Sequence, residues 1–120
     1  MGKWIGKPIQ TEWPDDLKGK VRTLTELRYK DNDGRLWIAP AGTVTDGASI
    51  PRLFWITVGQ PLSPDTIEAA IIHDVYCTNQ FRPHKLVHKV FGEMLKDSPG
   101  VGFWKRKRMA FAVKHFGPRW

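Results

Sequence analysis

From Val21 the chain alternates, with Val21, Thr23, Thr25 and Leu27 on one side and Arg22, Leu24, Glu26 and Arg28 on the other. A period of two marks a strand with one buried face. Asp31-Asn32-Asp33-Gly34 interrupts the pattern with residues that favour a tight turn, and Arg35-Leu36-Trp37-Ile38-Ala39 resumes it, so this stretch predicts a β-hairpin. Pro40-Ala41-Gly42 then breaks the run, and Thr43-Val44-Thr45 predicts a short third strand.

The period changes in the second half. Ser63-Pro64-Asp65 supplies an N-cap residue, a proline for the first helical position and an acid for the first turn, and Thr66 to Tyr76 follows as a helix that is apolar nearly all round. Such a helix belongs at the centre of the molecule. A second helix is predicted from about Pro83 to Lys96, with Leu86, Val87, Val90, Phe91, Met94 and Leu95 on one broad face and Asp97-Ser98-Pro99-Gly100 as its stop. A third runs from about Gly102 to His115, with Met109, Ala112, Val113 and Phe116 at helical spacing and Gly117-Pro118 ending it. Strands first and helices after give an α+β fold: a hairpin or small antiparallel sheet packed against about three C-terminal helices. Residues 1–20 mix Trp4, Ile5 and Trp13 with Gly2, Gly6, Pro8, Pro14 and Gly19, which predicts an irregular arm ahead of one domain over 21–120.

Composition bounds what this domain does. The chain has 120 residues, room for one core and not two, and its 41 % apolar and 12 % aromatic content argues against disorder. A single cysteine, Cys77, precludes an internal disulfide. The N-terminus lacks the continuous apolar segment of a signal peptide and no run reaches the length of a membrane span, so the expected location is the cytoplasm. The formal charge is +7, and from Val101 to Trp120 there is no acidic residue at all. That excess points to an anionic or acidic partner without naming one.

Candidate chemistry gathers in three places. Thr45-Asp46-Gly47-Ala48-Ser49-Ile50-Pro51-Arg52 places several hydrogen-bonding side chains between apolar stretches. It is either a turn whose Asp46 and Ser49 satisfy local amides or part of a site. On the first helix, His73-Asp74 sets a charge against an apolar surface, where it needs a partner. Arg52 and the hydroxyls of Ser49 and Thr45 are the candidates; Asp74 then either orders the loop or converges with Asp46 and His73 as metal ligands or an acid/base pair. His84 and His88, four apart, share a helical face and could hold an ion together. Cys77 lies one turn after His73, which admits a Cys/His nucleophilic pair as well as a small core residue. The run Lys105-Arg106-Lys107-Arg108, beside Phe103 and Trp104, is either a solvated helix start or a contact surface for phosphate or nucleic acid, although no nucleic-acid motif accompanies it.

The segments Thr45 to Arg52 with Phe54-Trp55, Ala69 to Tyr76, and Phe116-Gly117-Pro118-Arg119-Trp120 together resemble a family of small phage and prophage proteins classed as a domain of unknown function. The resemblance spans about residues 21–120. It implies a phage origin and marks Asp46, Ser49, Arg52, His73 and Asp74 as the characteristic polar positions. It also implies an Ala-Asp pair ahead of a Phe in the second helix, where this chain has Val87-His88 and then Phe91. If that Asp is a ligand, His88 replaces it; if it is a general base, the resemblance does not carry catalysis over to this chain.

Two functions follow as expectations. In the first, a phage-encoded accessory or virion-associated protein binds a phage or host protein through its aromatic N-terminal arm and basic C-terminal helix, with Ser49, Arg52, Lys105, Arg106, Lys107 and Arg108 as binding residues. In the second, a small hydrolase uses a divalent metal such as zinc held by Asp46, His73, Asp74 and His88, with Asp46, His73 and Asp74 as catalytic groups.

Overall fold

A computed structural model describes residues 3–5, 11–12, 21–45, 67–98 and 102–120. Its elements, in order, are β1 (Lys3–Ile5), β2 (Thr11–Glu12), β3 (Val21–Thr23), β4 (Leu27–Lys30), β5 (Leu36–Ala39), β6 (Val44–Thr45), α1 (Ile67–Asn79), α2 (His84–Lys96) and α3 (Phe103–Phe116). Strands lead and helices follow, so the fold is α+β. Asp46, Ser49 and Arg52 lie outside the described residues, as do Trp13 and the Ser63-Pro64-Asp65 helix start.

The strands form two antiparallel sheets, ordered β1-β4-β5 and β2-β3-β6. Tyr29 pairs with Trp37 and Leu27 with Ala39 across β4 and β5, and these four side chains are all buried on one face. The expected long first strand is broken instead. Leu24–Glu26 is exposed and bent, so β3 serves one sheet and β4 the other. Alternation keeps its parity through the break, with Val21, Thr23, Leu27 and Tyr29 all buried while Thr25 is exposed. The expected irregular arm is likewise corrected at two points: Lys3–Ile5 pairs with β4, and Thr11–Glu12 pairs with β3. Trp4 stacks on Tyr29 at 4.9 Å between ring centroids, so this tryptophan belongs to the body of the protein.

The β4–β5 turn is built on Asp31. Its Oδ1 accepts hydrogen bonds from the amides of Asp33 and Arg35, both at 2.9 Å, and Gly34 adopts φ +85°, which favours glycine. The turn side of the sheet is then tied to α2 by the Tyr29 hydroxyl, which donates to Asp97 Oδ2 at 2.6 Å.

Helix α1 meets the sheet through Tyr76, whose hydroxyl accepts the amide of Ile38 at 3.1 Å and whose ring stands edge-on to Trp37. Ala69, Ala70, Ile71, Ile72 and His73 are all 0 % exposed, as an all-round apolar helix requires. Helix α2 packs against both α1 and α3. It buries Val87, His88, Val90, Phe91, Met94 and Leu95, five apolar side chains and one imidazole on the same face. Helix α3 contributes Met109, Ala112 and Val113, at the spacing expected. The position of His88 is the anomaly that leads to the site.

Candidate functional site

His73 on α1 and His88 on α2 meet in the core. The first is 0 % and the second 5 % exposed, and His73 Nε2 lies 2.9 Å from His88 Nδ1. The other nitrogen of His88, Nε2, lies 2.7 Å from the carbonyl oxygen of Pro118. A carbonyl only accepts, so His88 carries its proton on Nε2 and turns the Nδ1 lone pair toward His73, which in turn donates from Nε2. Cys77, one turn along α1, brings Sγ to 3.6 Å from the same His73 nitrogen. Phe91 covers the His73 ring at 4.6 Å between centroids.

Electrostatics keeps this group uncharged. Burial, with the neighbouring His88, pushes His73 down to about 3. Burial also lowers His88, reinforced by the nearby His84 and Arg119 and opposed by the Pro118 hydrogen bond. The Cys77 thiol is pushed up to about 12 by burial and by the Asp74 charge. A thiol so raised supplies little thiolate, so a Cys/His nucleophilic pair finds no activation here.

The residues singled out from the sequence are distributed unevenly. His73 and His88 come together as a metal reading requires. Asp74 does not join them: Thr45 Oγ1 donates to Asp74 Oδ2 at 2.6 Å, the hydroxyl partnership foreseen for it. Among the described residues, the donors that converge are those of His73, Cys77 and His88, within 4.8 Å of one another. Cys77 replaces Asp74 in the expected set, because on a helix i and i+4 share a face whereas i and i+1 do not. His84 does not join the His73–Cys77–His88 cluster; its Nδ1 lies 2.9 Å from the carbonyl oxygen of Trp120.

The chain after α3 folds back to hold this arrangement. Gly117 donates its amide to Val113 O at 2.9 Å, Pro118 meets His88, and the Trp120 indole N–H donates to Arg82 O at 2.8 Å. The close approach depends on Gly117. A Cβ there would sit 2.5 Å from Val113 O and 3.3 Å from the His88 ring. Gly117→Ala is therefore expected to destabilise the protein by about 1–3 kcal/mol, the range for overpacking. Urea unfolding measures this, and a midpoint equal to that of the unaltered protein would show that the turn does not need the glycine.

A second feature lies on the outside of α2 and α3. Gly92 and Ala110 face each other at the floor of a seam, where a Cβ on Gly92 would be 3.7 Å from that of Ala110. Two grooves share this floor. One, of about 560 Å³, is walled by Lys85, Lys89, Lys114 and Arg119 with His84 and His88. The other, of about 300 Å³, is walled by Lys96, Arg106 and Lys107. Among the described residues, neither is lined by an acidic one. Of the predicted run Lys105-Arg106-Lys107-Arg108, the seam thus takes the middle two; Lys107 and Arg108 are exposed and Lys105 and Arg106 half-buried. The lysines of α2 were missed in the sequence, although Lys85, Lys89 and Lys96 recur at helical spacing, across the seam from Arg106, Lys107 and Lys114.

Comparison with known proteins places the chain. Two proteins of Sinorhizobium fredii (strain NBRC 101917 / NGR234) are similar to it. "Uncharacterized protein y4jT" is 36 % identical over 96 residues, covering 80 % of this chain and 28 % of the relative. "Uncharacterized protein y4iH" is 44 % identical over 107 residues, covering 89 % of this chain and 44 % of the relative. The chain thus spans less than half the length of either relative. No solved structure matches it. Residues 21–113, which take in both the buried imidazoles and most of the basic seam, match the family described as "Protein of unknown function (DUF1353)", and the chain belongs to that family.

Proposed function

We propose that this is a phage-encoded accessory protein, active in the host cytoplasm or carried in the virion, that works by binding an acidic segment of a phage or host protein along the α2–α3 seam. The observation that carries this reading is the seam itself: among the described residues, seven cations along two adjoining grooves, with no carboxylate in their lining. Like charges gathered along one seam oppose folding through mutual repulsion, and an acidic occupant relieves it. The narrow floor between two packed helices suits an extended chain rather than a nucleic-acid duplex.

The aromatic residues beside the seam favour a protein over single-stranded nucleic acid. Arg106 and Lys107 each lie 5.3 Å over the Phe103 ring, and His115 lies 4.5 Å from Phe111. The Phe103 ring already carries cations, whereas base stacking needs open faces. Phe103, Trp104 and Phe111 are nonetheless more than half exposed, and they supply apolar contact at the edge of a charged groove. The basic helix keeps its place in the binding reading. The arm contributes less, since Trp4 packs on the protein's own sheet. The phage origin rests on the resemblance carried by the Thr45–Arg52, Ala69–Tyr76 and Phe116–Trp120 segments.

A fluorescent oligoglutamate peptide tests the seam. It is expected to bind with an affinity that falls as salt rises, and Lys89→Glu with Lys114→Glu is expected to weaken it at least tenfold. Unchanged binding by the double variant, or a ten-fold preference for an oligothymidylate of equal charge, would overturn the assignment.

A further inference from the structure

The hydrogen bond between the two imidazoles joins two of the three groups gathered in the core, and the Cys77 thiol lies against them, 3.6 Å from His73 Nε2. We infer that His73 Nε2, Cys77 Sγ and His88 Nδ1 form a binding site for a borderline-soft divalent cation of the zinc type, joining α1 to α2. The site differs from the ligand set legible in the sequence: it uses the cysteine and leaves Asp74 on Thr45.

Geometry supports it first. With Zn–N near 2.0–2.1 Å and Zn–S near 2.3 Å, ligands at tetrahedral angles stand about 3.3 Å apart for two nitrogens and about 3.6 Å for nitrogen and sulfur. The observed separations are 2.9 Å for His73 Nε2 to His88 Nδ1 and 3.6 Å for His73 Nε2 to Cys77 Sγ. The sulfur also lies 3.8 Å from His73 Nδ1 and so stands over that ring; an ion would need the imidazoles to part by a few tenths of an ångström and the Cys77 side chain to turn toward the Nε2 lone pair. Orientation supports it second and independently. The Pro118 carbonyl holds the Nε2 proton of His88, leaving Nδ1 as the donor atom aimed into the cluster. That is the outer-shell contact by which metal-bound histidines are commonly fixed. The donor types support it third, since two imidazoles and one thiolate select zinc-like ions over magnesium or calcium.

The protons balance. Binding releases one proton to solvent, from Cys77 Sγ, which becomes the thiolate ligand. The His73 proton moves from Nε2 to Nδ1, so that ring stays neutral, and His88 keeps its proton on Nε2. Three protein ligands leave the fourth tetrahedral position for water or another donor.

Cobalt titration of the metal-free full chain at pH 7.5 tests the site. One equivalent of Co²⁺ is expected to bind with tetrahedral visible bands and a near-ultraviolet thiolate-to-cobalt band, and Zn²⁺ should displace it. Cys77→Ser, nearly isosteric at a half-buried position, is expected to abolish the thiolate band and weaken Zn²⁺ binding at least tenfold. X-ray absorption on the unaltered zinc-loaded protein needs no variant and should show one sulfur and two imidazoles in the first shell. A sulfur-free shell, no cobalt binding at micromolar concentration, or a thiolate band that persists in Cys77→Ser would overturn the inference. The seam variant, Lys89→Glu with Lys114→Glu, should leave the cobalt spectrum unchanged, so this site and the partner-binding reading stand or fall separately.

Discussion

Asp31→Ala is expected to destabilise the protein by about 3–5 kcal/mol, because one carboxylate organises both the β-turn and the sheet behind it. Asp31 is 2 % exposed. Besides the amides of Asp33 and Arg35, it accepts the Trp37 indole N–H at 2.9 Å and the Arg35 guanidinium at 3.0 Å. Trp37 is itself only 1 % exposed, so removing the carboxylate strands a buried donor as well as freeing the turn. A stranded donor alone costs about 1–3 kcal/mol. Asp31→Asn keeps the shape but turns an amide N–H₂ toward one set of these donors, so a smaller loss is expected. Urea unfolding decides the matter. A loss under about 1 kcal/mol for Asp31→Ala would show that the carboxylate does not organise the turn.

The same group predicts a pH window. Burial alone would raise the Asp31 carboxyl, but the donors from Trp37, Arg35 and Asp33 outweigh it and hold the group below the ordinary carboxylate range. As pH falls, the unfolded chain therefore takes up this proton before the folded one does. The stabilisation is complete above the unfolded pKa of about 3.9 and drains away as pH drops through the folded value. The stability gap between the unaltered protein and Asp31→Asn is expected to stay level from pH 7 to pH 5 and to narrow below pH 4. A gap that narrows already at pH 6 would point to another group.

How much of this was legible in the sequence depends on the range of the interaction. The three helices follow local periodicity and local stop signals, and α2 (His84–Lys96) and α3 (Phe103–Phe116) begin and end within a residue or so of where Pro83, Asp97, Gly102 and Gly117 place their limits. Alternation from Val21 also separated the two sides of the first strand region, and Val21, Thr23 and Leu27 of one set are buried together. It could not show that Leu24–Glu26 carries the chain from one sheet to another, because a period of two says which side faces inward and nothing about the neighbouring strand. The pairings of Lys3–Ile5 and Thr11–Glu12 were hidden for the same reason. Short strands held by distant partners leave little trace in their own residues.

The candidate site divides along the same line. His73 and Cys77 lie four apart on one helix, so their proximity was readable. His88 was visible as one of two histidines four apart on the second helix, but its pairing with His73 rather than His84 is set by how α1 and α2 pack. The contact from Pro118 is set by a chain reversal that only Gly117 permits. The basic seam needs two helices in register, and inspecting the Lys105–Arg108 run alone conceals that its partners are on α2. Charge counted along the chain found the basic end of the protein; the fold turned it into a groove.

Phe91→Ala is expected to cost about 3–5 kcal/mol, the second large effect, because this ring is both core and a wall of the buried imidazoles. It is 0 % exposed on α2, the helix that packs against both of the others, and it stands 4.6 Å from the His73 ring. Truncation removes the transfer free energy of the ring and leaves a void that the flanking helices can only partly close. The void would border His73 and His88, so it has polar groups with which water can hydrogen-bond. Phe91→Leu fills most of the space and should cost no more than about 1.5 kcal/mol. Urea midpoints of the two variants, taken with unfolding slopes to confirm a single transition, separate ring packing from a general effect of altering α2. Equal losses for alanine and leucine would show that the aromatic wall beside His73 contributes through shape specific to phenylalanine rather than through volume.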